Sequence, residues 1–306
     1  MPSQSPALSL HALSGQFAAL LDGAGPRIVG VHGRDHRPLS GIVWRSGLVV
    51  TAEEALDADD DISIIRPDGT SMAAALVGRD PGTDVALLRT EEPLPAEAPF
   101  GSTAALRTGH LALAAGRRRD GLSAALGIVA LAGGPWRSLR GGQIDRLLHL
   151  DLRLDGDSEG GAALDADGRI IGMTVFGPRG RVLVIPAETI ERVAQQLLDH
   201  GRIARGYLGL GLQPVRIDPA IAGASGLAKP VGLIVINVDQ DGPGQAAGLR
   251  QGDVLITWDG QPLRSVRGLQ AFLGPESVGR SVELGILRAG ERVSMVVQIR
   301  ERPEPQ

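Results

Sequence analysis

The chain has 306 residues, of which 43% are apolar and 22% are charged. This length is typical of two domains with cores of their own, and this composition excludes global disorder. The formal net charge of −4 offers no basic surface for nucleic acid, and no apolar run reaches the roughly 18 residues that a membrane-spanning helix needs.

The content of cysteine, glycine and proline narrows the class of protein further. The chain has no cysteine, 43 glycines and 20 prolines. Without cysteine there is no disulfide framework, no thiolate zinc site and no thiol nucleophile. Many turn residues between short apolar runs predict a mainly β fold. No motif calls for a cofactor, and we expect none.

Residues 1–26 predict an amphipathic helical segment that ends near Gly23. Its apolar residues recur at helical spacing, at Leu8, Leu10, Leu13, Phe17, Leu20 and Leu21. The first ten residues carry no Lys or Arg, and polar residues interrupt the apolar ones, so we expect no signal peptide. The segment as given predicts a cytoplasmic protein, or a periplasmic one if an export signal had preceded it.

Residues 27–200 predict a domain made of short strands. Twelve strands at this spacing are typical of barrels, and helices do not alternate with them as they would in a parallel sheet. We expect one barrel over residues 27–95 and another over 100–186, joined by the proline-rich stretch 91–99. The predicted strands span residues 27–32, 41–44, 48–51, 61–65, 73–78, 85–89, 111–115, 124–131, 147–150, 162–164, 170–175 and 182–185.

The period changes at Pro186, where a helix is predicted over residues 187–200. Glu188 lies in its first turn, and Gly201 occupies the position of a C-terminal cap. A second domain follows over residues 206–302.

Residues 243–255 (PGQAAGLRQGDVL) begin with a short helix and lead through a tight turn into a strand. Asp259-Gly260 then forms a hairpin turn, and a helix follows over residues 265–273. This order resembles a PDZ domain of the bacterial type, over nearly 100 residues.

A PDZ domain binds extended peptides at a sheet edge, usually by their C-terminal carboxylate. The resemblance implies that Tyr207, Leu208, Gly209 and Leu210 form the loop whose N–H groups face that carboxylate. Leu269 and Leu273 would line the pocket for the last side chain. The alternative for these two leucines is a place in the core.

The first domain resembles the trypsin-like protease of the HtrA (Deg) family, which places the protease before the PDZ domain. The resemblance implies a trypsin-like double β-barrel with an active site in the cleft between the barrels. It rests on residues 80–88 (DPGTDVALL), 127–129 (GIV), 160–161 (GG), 167–172 (DGRIIG), 184–186 (VIP) and 205–209 (RGYLG).

The positions of the catalytic triad differ from the family pattern. A serine protease needs a serine nucleophile, a histidine base and an aspartate that orients the imidazole. Residues 51–56 (TAEEAL) place Glu54 where the histidine would be, and residues 157–161 (DSEGG) place Glu159 at the serine position. Only Asp84 matches the triad. We therefore predict a pseudoprotease that has lost catalysis.

The alternative is an active endopeptidase that uses Ser158. Gly156-Asp157-Ser158 matches the start of the trypsin-like Gly-Asp-Ser-Gly-Gly, and Glu159 would then be an inserted residue. The insertion would displace the N–H groups of the oxyanion hole, and a misplacement of about 1 Å can cost about a hundredfold in rate. None of the six histidines has the spacing of the base.

If the fold holds, Glu54, Asp84 and Glu159 converge in one cleft. Three close carboxylates repel one another, so one must be protonated or all must share a cation, for which Ca²⁺ or Mg²⁺ would be suitable. The alternative is that Glu54 and Glu159 turn to solvent or accept local backbone hydrogen bonds, and then no metal is bound.

These predictions favour a non-catalytic scaffold or chaperone that binds peptide C-termini or unfolded polypeptides through its PDZ domain. The alternative function is an active HtrA-like serine endopeptidase in protein quality control. A third hypothesis is a subunit that regulates an active relative by mixed assembly. Because HtrA proteins commonly form trimers, the resemblance also implies a homo-oligomer.

Overall fold

The computed structural model describes residues 9–33, 38–57, 59–95 and 100–303. The beginning of the predicted helical segment (residues 1–8) and part of the predicted linker (residues 96–99) lie outside the described residues. The chain divides into two compact units, one ending at Ile203 and the other beginning at Ala204. Among the described residues, no helix is both long and apolar enough to cross a membrane.

The first six strands form a closed antiparallel barrel in the order β1-β2-β3-β6-β5-β4. Its interior is filled by the large apolar side chains that alternate along these strands, such as Ile28, Ile42, Ile64 and Leu87. The strands are β1 (Ile28–His32), β2 (Pro38–Arg45), β3 (Leu48–Thr51), β4 (Ile62–Ile65), β5 (Ser71–Asp80) and β6 (Val85–Thr90).

The second barrel is also closed and six-stranded, in the order β11-β14-β13-β12-β7-β8. The two barrels confirm the predicted double barrel, and each of the twelve predicted strands is present. Between β8 and β11 the chain forms a small hairpin, β9 with β10, that the sequence pattern did not predict. The strands are β7 (Leu111–Arg118), β8 (Gly121–Ala132), β9 (Trp136–Arg137), β10 (Gln143–Ile144), β11 (Leu148–Asp151), β12 (Ala162–Leu164), β13 (Ile170–Phe176) and β14 (Val182–Pro186).

Two helices flank the barrels as the sequence predicts. Helix α1 (Leu10–Ala24) begins at Ser9, whose side chain accepts from the Ala12 N–H. Helix α2 (Ala187–His200) ends at Gly201, which has the left-handed conformation of a C-terminal cap. The apolar stripe of α2 is buried, so the helix covers the barrels with one face.

The second unit is built on one antiparallel sheet in the order β16-β17-β18-β20-β21, with β19 paired to β18. A separate two-stranded sheet joins β15 to β22, at the two ends of the domain. The elements are β15 (Gly206–Tyr207), β16 (Leu210–Arg216), α3 (Pro219–Ala224), β17 (Val231–Val238), α4 (Pro243–Ala246), β18 (Val254–Trp258), β19 (Gln261–Pro262), α5 (Val266–Phe272), β20 (Ser281–Arg288), β21 (Glu291–Gln298) and β22 (Arg300–Glu301).

Candidate functional site

Three loops of the double barrel bring the predicted triad positions together. The turn after β3 carries Glu54, the tight turn between β5 and β6 carries Asp84, and the segment between β11 and β12 carries Glu159. The Glu54 N–H donates to Asp84 Oδ1 at 2.7 Å. The charges of Glu54 and Glu159 both act on the Asp84 carboxyl, so the three positions lie in one neighbourhood.

Asp84 is an acid in an unfavourable place for a negative charge. Its backbone has a positive φ of 60°, a conformation that Asp and Asn tolerate better than other residues with a side chain. Burial raises its pKa to about 7, the Glu54 N–H opposes that rise, and repulsion from Glu159, Glu53 and Glu54 adds to it. Near neutral pH the group is therefore protonated in a large part of the molecules.

The two adjacent glutamates after β3 have different surroundings. Glu53 is only 8% exposed and forms ion pairs with Arg79 and Arg140, each at 3.4 Å. Glu54 is exposed, and its nearest cation is Arg140 at 3.7 Å. The residue at the expected position of the base therefore faces solvent at the mouth of the site.

Glu159 is buried, and its carboxylate is held by the backbone. The side chain is 8% exposed, and its Oε1 accepts from the N–H of Phe176, at the end of β13, at 3.2 Å. Its own N–H donates to the Gly156 carbonyl at 3.3 Å and closes a 3₁₀ turn over Gly156–Ser158. The N–H at the serine position is thus used inside the turn.

Ser158 is buried, and its hydroxyl is paired with another serine. It is 2% exposed, and its Oγ lies 2.8 Å from Ser123 Oγ on β8. In the described part of the chain, no imidazole forms a hydrogen bond with this hydroxyl. His36 lies outside the described residues, and His149 lies on β11 beside a different cavity.

No group of three or more His, Asp or Glu side chains within residues 9–33, 38–57, 59–95 and 100–303 is arranged to hold a metal ion. Glu54 turns to solvent, and Glu159 binds a backbone N–H. This arrangement, with one glutamate at solvent and the other on a backbone N–H, is the one that the sequence analysis gave as the alternative to a shared cation.

Next to these residues lies a cleft of about 510 Å³. Glu54, Asp84 and Arg140 supply its charged groups, and most of the remaining wall is apolar. The β9–β10 hairpin, which the sequence analysis missed, contributes a large part of that wall. The other lining residues are Pro81, Gly82, Thr83, Trp136, Ser138, Leu139, Arg140, Ile144, Val175, Phe176, Gly177, Pro178, Leu183 and Ile185.

In the second unit, the predicted carboxylate loop has a fixed shape. The Tyr207 hydroxyl donates to Asp239, and this hydrogen bond, together with burial and the charge of Asp239, raises the pKa of Tyr207. Gly209 has a φ of 68°, which a residue with a Cβ rarely adopts. Among the described residues, no backbone carbonyl accepts from the N–H of Leu208 or Gly209. Two N–H groups are therefore available at this turn.

The strand that follows this loop has a free edge. β16 is the first strand of its sheet and pairs only with β17 within the described residues. The Gly209 carbonyl and the Ile217 N–H form hydrogen bonds with the residues that flank β17. Because backbone groups alternate in direction along a strand, those of Leu210, Leu212 and Pro214 point away from β17, toward the free edge. Pro214 has no N–H, so an added peptide strand would find donors at Leu210 and Leu212.

The two predicted pocket leucines differ in burial. Leu269 is 3% exposed and belongs to the core of this unit, which is the alternative considered for it. Leu273 is half-buried, and its carbonyl accepts from the N–H of Gly206 at 3.0 Å. Leu273 therefore lies at the start of the predicted carboxylate loop.

Comparisons with known families agree with both units. Residues 39–173 match the family model of the trypsin-like peptidase domain. Residues 206–299 match that of the PDZ domain, which confirms the predicted PDZ fold.

Curated relatives include proteins described as probable periplasmic serine endoprotease DegP-like. The one from Bartonella henselae is 30% identical over 266 residues, which cover 84% of this chain and 52% of the relative. The one from Halomonas elongata is 31% identical over 285 residues, which cover 90% of this chain and 59% of the relative. The chain thus spans little more than half the length of these relatives.

Solved structures that are similar to this chain cover residues of both units. The HtrA-type protease AlgW with a decapeptide has a TM-score of 0.75 and 26% identity, and the match covers 94% of this chain and 99% of that one. The same protease with a tripeptide has a TM-score of 0.72 and 28% identity, over 94% and 98% of the two chains.

Proposed function

We propose that this chain, which belongs to the HtrA family of trypsin-like proteases with a PDZ domain, binds extended polypeptides without cleaving them. In that role it would act as a scaffold or chaperone. The observation that carries the proposal is the pair of carboxylates, Glu54 and Glu159, at the positions where the family pattern has its base and its nucleophile.

The geometry around these residues supports the proposal. An acyl transfer needs a hydroxyl that reaches the substrate and a base that takes its proton. Ser158, the hydroxyl next to the serine position, is buried against Ser123. Loss of nucleophile and base together costs on the order of a millionfold in turnover. The N–H of Glu159, which the family pattern would aim at the oxyanion, donates to Gly156 instead.

Two features support polypeptide binding. The cleft of about 510 Å³ is walled mainly by apolar side chains, as ligand clefts usually are. The free edge of β16 begins beside the unpaired N–H groups of Leu208 and Gly209. A peptide can pair with such an edge as a further strand of the sheet. The structurally similar protease AlgW is described with a decapeptide, which makes a peptide the first ligand to test.

We expect purified protein to show no serine-directed labelling. A fluorophosphonate probe should label the wild type no more than Ser158→Ala, because no imidazole lies at this hydroxyl to activate it. Unfolded casein should stay intact under conditions in which trypsin, as the positive control, digests it.

Labelling that disappears in Ser158→Ala, together with casein cleavage that the same substitution abolishes, would contradict the proposal. That result would establish the alternative function, an active endopeptidase that uses Ser158.

For the PDZ domain of the full chain, we expect binding of a fluorescent peptide that ends in an apolar residue with a free carboxylate. Amidation of its C-terminus should weaken binding about tenfold or more, because the amide loses the charge-assisted hydrogen bonds at Leu208 and Gly209. Leu273→Ala should also weaken binding several-fold, as measured by fluorescence anisotropy.

The matched control is Val296→Ala on β21, at the opposite edge of the sheet, where the side chain is 67% exposed. It should leave the affinity unchanged. Equal affinities for the free and the amidated peptide would contradict carboxylate recognition at this loop.

A further inference from the structure

A second cavity of about 290 Å³ lies on the outside of the second barrel. Its walls combine apolar surface with basic groups. Trp136, Leu147, Pro178 and Leu183 supply the apolar part, and the polar part is formed by His149, Arg179 and Arg181.

The strand register explains why these residues share one face. His149 on β11 lies directly opposite Leu183 on β14, so their side chains point to the same side of the sheet. Leu147 and Arg181 each lie two residues before one of this pair and point the same way by alternation. Trp136 belongs to the β9–β10 hairpin, and its indole N–H donates to the Arg146 carbonyl at 3.3 Å, which holds the ring in place.

The basic groups of this cavity are not neutralised by the protein. Its lining contains no Asp or Glu. Within the described part of the chain, no carboxylate forms an ion pair with Arg179 or Arg181. Burial lowers the pKa of His149, and the positive charge of Arg181 lowers it further. Arg179 and Arg181 are exposed, so their guanidinium groups can donate charge-assisted hydrogen bonds to an anion that enters from solvent.

The backbone at Arg179 also bears on the site. Arg179 has a φ of 64° although it is not glycine, in the short turn closed by the hydrogen bond from the Gly177 N–H to the Arg181 carbonyl at 2.8 Å. That conformation is unfavourable for a residue with a Cβ. The turn places the two arginines on either side of Gly180, next to the wall formed by Pro178.

The basic cavity continues the polypeptide cleft. The two share Trp136, Pro178 and Leu183 in their linings. The lining of the cleft includes Glu54, Asp84 and Arg140, whereas that of the basic cavity includes Arg179 and Arg181 and no carboxylate. An anionic group on a chain lying along both would therefore be favoured on the side of the basic cavity.

We propose that His149, Arg179 and Arg181 form an anion subsite that takes a carboxylate carried on an apolar segment of a polypeptide in the cleft. The carboxylate would bind the guanidinium groups, and its apolar neighbour would pack on Trp136 and Leu183. This inference deepens the proposed polypeptide binding and rests on it for the identity of the ligand. The source of the carboxylate is either an acidic side chain or a chain terminus.

The first test uses a small probe and does not depend on polypeptide binding. 4-Phenylbutyrate should perturb the imidazole resonances of His149 in an NMR titration, with a dissociation constant on the order of 1 mM, and 4-phenylbutyramide should not. The resonances are assigned with His149→Gln. Arg179→Ala combined with Arg181→Ala should weaken binding of the acid about tenfold or more.

The matched control is Arg153→Ala, which removes an exposed arginine from the same barrel outside this cavity. It should leave the titration unchanged. Equal shifts with the acid and the amide, or equal weakening by Arg153→Ala, would overturn the anion subsite.

The second test distinguishes the sources of the carboxylate in peptides. Amidated apolar peptides with one internal Glu are compared with their Gln counterparts, and the Gln peptide is also made with a free C-terminus. The Leu273→Ala variant is used throughout, to reduce the PDZ contribution. A preference for Glu assigns a side chain, and a preference for the free C-terminus assigns a chain end. Either preference should disappear when Arg179 and Arg181 are both replaced by Ala.

The outcomes of the two tests separate the two proposals. Peptides that bind without any preference for charge, together with no response to phenylbutyrate, would overturn the subsite and leave polypeptide binding standing. A phenylbutyrate site that binds none of the peptides would overturn its assignment to a polypeptide and count against the proposed function of the cleft.

Discussion

Replacing Asp84 by Asn should stabilise the protein relative to the wild type, and this gain in stability should be larger at alkaline pH than at acidic pH. In the folded protein the pKa of Asp84 is raised to about 7, whereas the unfolded chain loses this proton near its ordinary value of 3.8. The protonated Asp84 therefore contributes to the stability of the folded protein. That contribution is fully present below pH 3.8 and is lost as the pH rises through about 7.

The asparagine removes the ionisation but keeps the local geometry. Its side-chain oxygen can still accept from the Glu54 N–H, and Asn tolerates the positive φ of this position. The gain in unfolding free energy, Asp84→Asn minus wild type, should therefore increase between pH 4 and pH 8, by at most about 4 kcal/mol. Urea unfolding at both pH values measures it, with Asp151→Asn, an exposed aspartate, as control.

A gain of the same size at pH 4 and pH 8 would show that the pKa of Asp84 is not raised in the folded protein.

The expected result bears on function as well as on stability. In an active triad the aspartate stabilises the imidazolium that forms on the histidine. Here burial is the main cause of the raised pKa of Asp84, and the charges of Glu159, Glu53 and Glu54 add to it. With Glu54 in place of an imidazole beside it, nothing at position 54 offsets the cost of burying the ionised carboxylate except the Glu54 N–H.

The sequence carried enough information to predict the barrels, because their strands are short apolar runs bounded by turn residues. It failed at the β9–β10 hairpin, whose strands have two residues each, too few for any periodicity. That hairpin supplies Trp136, Leu139 and Arg140 to the cleft. The omission mattered for the site more than for the fold.

Within the site, spacing predicted positions but not orientations. Glu53 and Glu54 are chemically identical neighbours, but Glu53 is buried and pairs with Arg79 and Arg140, whereas Glu54 is exposed and pairs with Arg140. The burial of Ser158 depends on Ser123, which lies on a strand of the same barrel and is distant in sequence. Such pairings depend on packing between elements, which no local motif encodes.

A large loss of stability is expected for Gly160→Ala, in the loop that carries Glu159. A Cβ at position 160 would lie 2.2 Å from the Ser40 carbonyl oxygen and 2.7 Å from Thr51 Oγ1, and φ is 82°. Neither β2 nor β3 can move aside without disrupting its barrel. The left-handed backbone and the overpacking together should cost about 2–5 kcal/mol, or prevent folding.

Gly156→Ala is the matched control, because it adds the same methyl group four residues earlier. A Cβ there meets nothing within 4 Å, and the backbone φ is not positive. This variant should differ from the wild type by no more than about 0.5 kcal/mol. Thermal and urea unfolding of the two variants measure the difference, and equal stabilities would contradict the packing argument.

The comparison separates two reasons for the glycine pair at positions 160 and 161. In a protease, this loop must present a serine and its oxyanion donors. Here Gly160 is required because β2 and β3 approach it, whatever residue occupies position 159. Packing alone is therefore a sufficient reason for a glycine at position 160, whether position 159 carries a serine or, as in this chain, a glutamate. For that reason the Gly-Gly pair identifies the fold of this loop and not its chemistry.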